Sequence, residues 1–216
     1  SRYSCRAFLP TPIPEQPVRD IIECAARAPS AGNMQPWRID AIAGARVEAL
    51  KDLLAPRMTE LPRAEGTEYT IYLPEMNATY RKRRFEVGEL LYQSIGVPRE
   101  DKPARYRQYG RNFEFFGAPV GIFFSIDRDL GVAQHSDLGG LIQTVMLLAR
   151  GYGLHTCAQQ AWASWHITVP AFLELPPHMM LYSGMALGHA DESAPINSWR
   201  SPRAPLDEFA NFRGFD

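Results

Sequence analysis

Cysteine is scarce in this chain: Cys5, Cys24 and Cys157 are an odd set with neither Cys-x-x-Cys nor zinc-type spacing. That excludes a disulfide framework and a thiolate metal site, and it suits inert thiols in a reducing compartment. The five histidines, at 135, 155, 166, 178 and 189, also lack metal-ligand spacing. No apolar run approaches the roughly 20 residues that a membrane helix needs, and no signal-peptide pattern is visible at the start. The expected location is cytoplasmic, without a membrane partner. A net charge of −1 and a pI near 6.5 provide no global field for nucleic acid. Any bound anion must therefore meet a local cluster of arginines.

Missing motifs narrow the chemistry further. There is no phosphate loop, and Ser183 does not sit in a nucleophile elbow. Gly151-Tyr152-Gly153 follows a helical pattern rather than a strand and has no third glycine three residues on. A helix stop explains it better than a dinucleotide fingerprint. If the chain is an enzyme, its reactive group is expected to be a bound cofactor.

What is present suffices for one domain over residues 1–216, with 45% hydrophobic content to build a core. Helical spacing predicts a helix at about 15–28, then a strand led by Trp37, Ile39 and Ala41 and stopped at Gly44. A second helix carries Val47, Leu50, Leu53 and Leu54, and residues 56–76, with three prolines and a glycine, read as a surface excursion or lid. Tyr80 to Ile95 predicts a further helix, whose Arg81-Lys82-Arg83-Arg84 run reads as a solvated face. Residues 99–116 also read as helical, and the stretch 96–117 is grouped with the excursion. Val120 to Phe124 predicts a central strand, and Leu138 to Ala149 a helix apolar on most faces and central to the core. A polar run over Thr156–Gln160 precedes a helix near 168–175 and a last core strand from Met180 to Gly188. The coreless tail, 191–216, is expected to lie on another surface.

Two groups of residues suggest a site. Arg2, Ser4 and Arg6 alternate, so an extended segment points all three one way. Arg200 and Arg203 form a second basic pair, and guanidinium forks are the best donors for a phosphate. The corner Ala28-Pro29-Ser30-Ala31-Gly32-Asn33-Met34-Gln35-Pro36-Trp37 is dense in hydrogen-bonding groups. The amides Asn33, Gln35, Gln159 and Gln160 suit a heterocycle rich in carbonyls and ring nitrogens.

Four stretches, namely Arg2 to Phe8, Ala28 to Trp37, Gly153 to Trp162 and Asn197 to Glu208, occur in the order found in the FMN-dependent nitroreductase family, which the chain resembles over essentially its whole length. Tyr80 to Arg84 and Asn112 to Pro119 resemble its nitrobenzoate-reductase branch. The resemblance implies an α+β fold with a central, mostly antiparallel mixed sheet wrapped by helices. It also implies an intertwined homodimer with exchanged C-terminal arms, 191–216, and two FMN sites at the interface. By position, Arg2, Tyr3, Ser4, Arg6, Arg200 and Arg203 would bind the phosphate, ribityl chain and pyrimidine edge. Pro29, Ser30, Ala31, Asn33 and Gln35 would approach from the second chain, and Gln159, Gln160 and Ala161 would lie against the isoalloxazine. Tyr3 stands where relatives usually carry a basic residue or histidine, Ala31 where a second serine is common, and Gln160 at a position acidic in some members.

The implied activity is ping-pong reduction of nitroaromatic or similar electron-poor acceptors by NADH or NADPH, with no catalytic side chain beyond the flavin. Dehalogenation, enone or quinone reduction, oxidative dehydrogenation and a non-catalytic FMN sensor remain open on the same fold.

Overall fold

The computed structural model describes residues 2–62 and 64–215. Its centre is a four-stranded sheet in the order β1-β2-β4-β3, with β1 at Trp37–Ala43, β2 at Val120–Asp127, β3 at His155–Gln159 and β4 at Met179–Gly188. Every neighbouring pair is antiparallel. The one parallel contact to the sheet is a bridge from Ser4 to Thr156, which lays the N-terminal segment beside β3.

The central strands β2 and β4 are covered on both faces, which is why they read as continuous apolar runs. Ile122, Phe124 and Ile126 face helices α1 (Glu15–Ala25) and α5 (Val132–Gly151) through Ile21, Leu138, Leu141 and Val145. Phe123 points the other way, toward Leu50 and Leu54 of α2 (Ala45–Glu60) and the aromatic group Phe113, Phe115, Phe116, Trp162 and Trp165. Trp162 is fully buried, with the rings of Phe115, Phe123 and Phe113 centred 4.7, 5.0 and 5.3 Å away. Helices α3 (Ala78–Ser94) and α4 (Lys102–Gly110) lie outside this core and bury no residue fully. The short helix α6 (Thr168–Phe172) closes the aromatic side. The thiols of Cys5 and Cys157 lie inside, and burial raises both, that of Cys5 to about 11.

Several sequence expectations change here. The first helix stops at Ala25, not 28. Pro56 does not end α2, which runs through it to Glu60, so the excursion is 61–77 rather than 56–76. The stretch 111–117 is core rather than lid: Phe113, Phe115 and Phe116 are buried, and Phe115 and Phe116 accept left-handed φ values of 50° and 55° to get there. Burial in the aromatic core, with Phe115 against Trp162, outweighs local preference at those two residues. The polar run at 156–160 is strand β3 up to Gln159, its alternation hidden by short side chains. Helix α5 buries one face only, leaving Gly139, Gly140, Gln143 and Leu147 open.

Gly184 and Gly121 make room for this core. A methyl carbon on Gly184 would sit 2.2 Å from Trp162 Cδ1, and one on Gly121 2.2 Å from the Phe115 ring. Neither ring can retreat in a close-packed interior. Gly184→Ala should cost about 1–3 kcal/mol or more, by overpacking. Gly110→Ala, with nothing within 4 Å of the added carbon, should not. Thermal melts of the two variants check this, at about 2–4 °C per kcal/mol for a chain of this size.

Candidate functional site

Both chain ends meet at one buried side chain. Asn197, 4% exposed, accepts the Arg6 N–H through Oδ1 at 2.8 Å, and its Nδ2 donates to the carbonyls of Ala7 and Asp191, each at 2.8 Å. The Cys5 N–H donates to the Thr156 carbonyl at 3.0 Å and the Leu9 N–H to that of His189 at 2.9 Å. The N-terminal segment is thereby stitched to β3 on one side and to the start of the tail on the other. Arg2, Tyr3, Ser4 and Arg6 then share a cleft of about 360 Å³ with Trp199, Arg200, Ser201 and Arg203, and α3 supplies Val87, Gly88 and Leu91.

The electrostatics of this cleft are one-sided. No aspartate or glutamate lines it. Among the described residues none of its four arginines pairs with a carboxylate, whereas Arg105, Arg83 and Arg128 elsewhere pair with Glu89, Glu208 and Glu68. Arg200 donates to the carbonyls of Asn197 and Trp199 at 2.8 Å, and its guanidinium carbon lies 3.8 Å from the centre of the Tyr3 ring. That stacking lets an uncharged Tyr3 hold a cation in place. Arg203 is bent onto Ser201 Oγ at 2.7 Å, and Arg6 onto the Ser4 carbonyl at 3.3 Å. The Trp199 indole N–H and the Thr156 hydroxyl are buried without a partner. Four guanidinium groups with spare donors are the donor set of a phosphate monoester site, so the residues fit a phosphorylated cofactor.

Beyond Thr156, β3 leads to the predicted amides. Gln160 lies four positions beyond Thr156, roughly 13 Å of extended chain. The Gln159 side chain is 2% exposed and committed to the core: its Nε2 donates to the Asn112 carbonyl at 2.7 Å, and its Oε1 accepts from the Trp162 indole at 3.3 Å. Only its main chain remains to face a ligand. Gln160 and Ala161 are half-buried. Gln160 lines a second, open cleft of about 650 Å³ with Tyr69, Tyr72, His135 and Tyr182. Its Nε2 donates to the Tyr182 carbonyl at 3.1 Å and to the Tyr69 hydroxyl, which itself donates to the same carbonyl. The rings of Tyr69 and Tyr182 stack 5.3 Å apart.

The corner after α1 does not line the arginine cleft of its own chain. Ala31, Asn33 and Gln35 are exposed, Ser30 is half-buried, and Pro29 is exposed. Asn33 and Gln35 hold φ values of 54° and 50°, with Gly32 at 59° between Ser30 and Asn33. Ser30 Oγ accepts the Gln35 N–H at 3.0 Å, and Asp137 of α5 accepts the Ala31 N–H at 3.1 Å. Left-handed non-glycine residues on an exposed corner are a pattern that functional loops show.

Sequence reasoning gave no role to Asn197, Tyr69 or Glu65. Asn197 and Tyr69 act through partners far off in the chain, Arg6 and Tyr182, which no local pattern reveals. Glu65 anchors the excursion. Its carboxylate accepts the N–H groups of Ile167 and Thr168 at 2.9 and 3.0 Å, and the Thr168 hydroxyl. Burial alone would raise its pKa, but the hydrogen bonds from Thr168 and Ile167 outweigh it and hold the group below its ordinary value.

The chain is similar to known proteins over essentially its whole length. The model of the Nitroreductase family matches residues 1–189. The chain is 41% identical to a 4-nitrobenzoate reductase of Pseudomonas putida, covering 100% of this chain and 94% of that protein. It is 36% identical to a nitrobenzene nitroreductase of Ectopseudomonas oleovorans, covering 98% and 93%. Among solved structures, it superimposes with a TM-score of 0.95 on the FMN and NADPH-dependent nitroreductase NfnB from sphigopyxis sp. strain HMH, at 42% identity over 99% of this chain and 96% of that one.

Asn197→Ala would leave the Arg6 N–H unpaired and remove one donor each from the Ala7 and Asp191 carbonyls, which keep the N–H groups of Asp191 and Ala194. At about 1–3 kcal/mol for one such group, the expected loss is about 1–3 kcal/mol, read from denaturant unfolding. The Glu65 contribution has a defined pH window. A depressed folded-state pKa stabilises the fold fully above the ordinary glutamate value and loses that effect as pH falls through the folded-state value. Glu65→Gln should therefore flatten the acid limb of a stability against pH curve and leave its slope near neutrality unchanged.

Proposed function

The chain belongs to the nitroreductase family, and from that premise we propose that it is an FMN-dependent oxidoreductase that uses NADH or NADPH to reduce nitroaromatic compounds. The observation that carries this reading is the cleft where four arginines from both chain ends converge with no carboxylate among its lining residues. Like charges so placed favour a bound anion. Arg2, Ser4 and Arg203 would hold the FMN phosphate, with Tyr3 steadying Arg200 beside them. Arg6, further along the segment that runs beside β3, would meet the pyrimidine edge. The Gln159 main chain, Gln160 and Ala161 would lie against the ring system, and the aromatic cleft at Gln160 would receive the nicotinamide and then the nitroarene.

When bound, FMN supplies the redox chemistry, taking hydride from NAD(P)H and passing electrons to the nitro group in two-electron steps. The chain's own contribution is binding and electrostatics. Arg6 places a permanent positive charge where negative charge collects on reduction, a preorganised stabilisation that needs no proton transfer. Tyr69, whose hydroxyl is pushed up chiefly by burial, stays protonated and serves as a structural donor.

A homodimer completes the site in this reading. The open face of α5, the exposed corner at Pro29–Gln35 and the tail aromatics Phe209, Phe212 and Phe215, 68, 66 and 83% exposed, are surfaces that a second copy would cover. The corner would reach the partner's flavin, and the tail, 191–216, would cross to the partner.

Purified protein should be yellow, and its NAD(P)H oxidation should depend on an added nitroarene. Charged hydrogen bonds contribute about 1.5–3 kcal/mol each, so Arg2→Ala and Arg203→Ala should each weaken FMN binding about 10- to 100-fold. Quenching of FMN fluorescence by apoprotein measures this, and unchanged affinity in both variants would remove the assignment.

A further inference from the structure

We propose that Gln160 determines specificity: it shows the aromatic cleft a hydrogen-bond acceptor and no donor, so the cleft favours ring substrates bearing an N–H or O–H group over the matching carboxylates. The inference rests on the reading of that cleft as the substrate site.

The argument starts from which end of the Gln160 amide faces which neighbour. A carbonyl oxygen accepts and never donates, so the end that lies 3.1 Å from the Tyr182 carbonyl is the NH2. The Tyr69 hydroxyl has one proton, and it goes to the same carbonyl at 2.5 Å, which leaves lone pairs that accept from Gln160. Rotating the amide by half a turn would set its oxygen against a carbonyl that cannot donate and would strand the NH2. Two neighbours therefore fix one orientation. The Oε1 lies on the other branch of the planar amide. It has no hydrogen-bond partner among the described residues and is not among the buried unpartnered atoms, so it is accessible on a residue that lines the cleft.

The rest of the cleft suits a flat ring. Tyr69 stacks on Tyr182 with their planes 17° apart, the His135 ring meets Tyr182 at 5.6 Å, and Tyr72 completes the aromatic wall. A ring held there with a carboxamide, amino or hydroxyl substituent can donate to Oε1. A carboxylate in the same place opposes oxygen to oxygen and forms no bond. One cation at this wall, Arg84, is stacked over the Tyr72 ring at 3.9 Å, and a carboxylate would have to draw it away. Substrate choice in this chain is thus expected to part from that of a nitrobenzoate reductase, even though the fold is shared.

The test compares matched pairs. Calorimetry gives Kd for nicotinamide and nicotinate, which turn nothing over, and steady-state kinetics gives kcat/KM for 4-nitrobenzamide and 4-nitrobenzoate. The wild-type protein should prefer each amide by about tenfold, the size of one neutral hydrogen bond. Gln160→Ala should bring both ratios to about one. Tyr69→Phe, which removes one of the two restraints on the amide, should give intermediate ratios. A preference for the carboxylates, or ratios that neither variant changes, would overturn the proposal. Wild-type protein that binds no flavin and reduces no nitroarene would instead defeat the underlying reading, and the calorimetric ratio is still measured in that case.

Discussion

Two hydrogen bonds from the buried amide of Asn197 join pieces of chain some 190 positions apart, a third ties that amide to Asp191, and the arginine cleft is assembled around this join. Closing a loop of that length costs conformational entropy that rises only slowly with length. What makes the closure specific is that the Asn197 amide binds three main-chain groups in fixed directions, one of which, the Arg6 N–H, has no other partner among the described residues. A hydrophobic contact in its place would tolerate sliding, whereas the directional amide fixes the register of Arg6 against Asp191. The alternation of Arg2, Ser4 and Arg6 then becomes a shared direction in space.

The cleft illustrates how a protein of near-zero net charge can gather positive charge in one place. Its cations are not surplus charge on the whole molecule but are separated locally from the acids, which pair with arginines elsewhere. Steric and hydrogen-bonding restraints, namely the Tyr3 ring under Arg200 and Ser201 against Arg203, hold the guanidinium groups where mutual repulsion would scatter them. An anion placed among them would relieve that repulsion, and groups already held in position lose little freedom on binding.

Much of this was legible in the sequence. The spacing of the apolar residues located α1 and α2, which bury a regular face, and apolar runs located both central strands, which are covered on two faces. The arginine pairs were legible because alternation and proline-fixed backbone carry geometric meaning. What escaped detection depends on packing or on distant partners. Strand β3 is built of short polar residues that pair with β4 and so lacks a hydrophobic signature. The buried Phe115 and Phe116 adopt backbone angles that their own preferences oppose. Pro56 sits inside a helix that local rules would end. The orientation of Gln160 depends on Tyr69, 91 residues earlier, and no window of neighbouring residues contains that information.

The buried thiols have a bearing on durability. Reduced flavins react with dioxygen and release peroxide, and peroxide attacks cysteine through its thiolate. Cys5 and Cys157 lie within the segment and strand that flank the arginine cleft, yet burial keeps both in the thiol form. A flavin held beside them would generate its oxidant next to sulfur that is poorly able to react, and the exposed Cys24 is left as the place where oxidative ageing should first be seen.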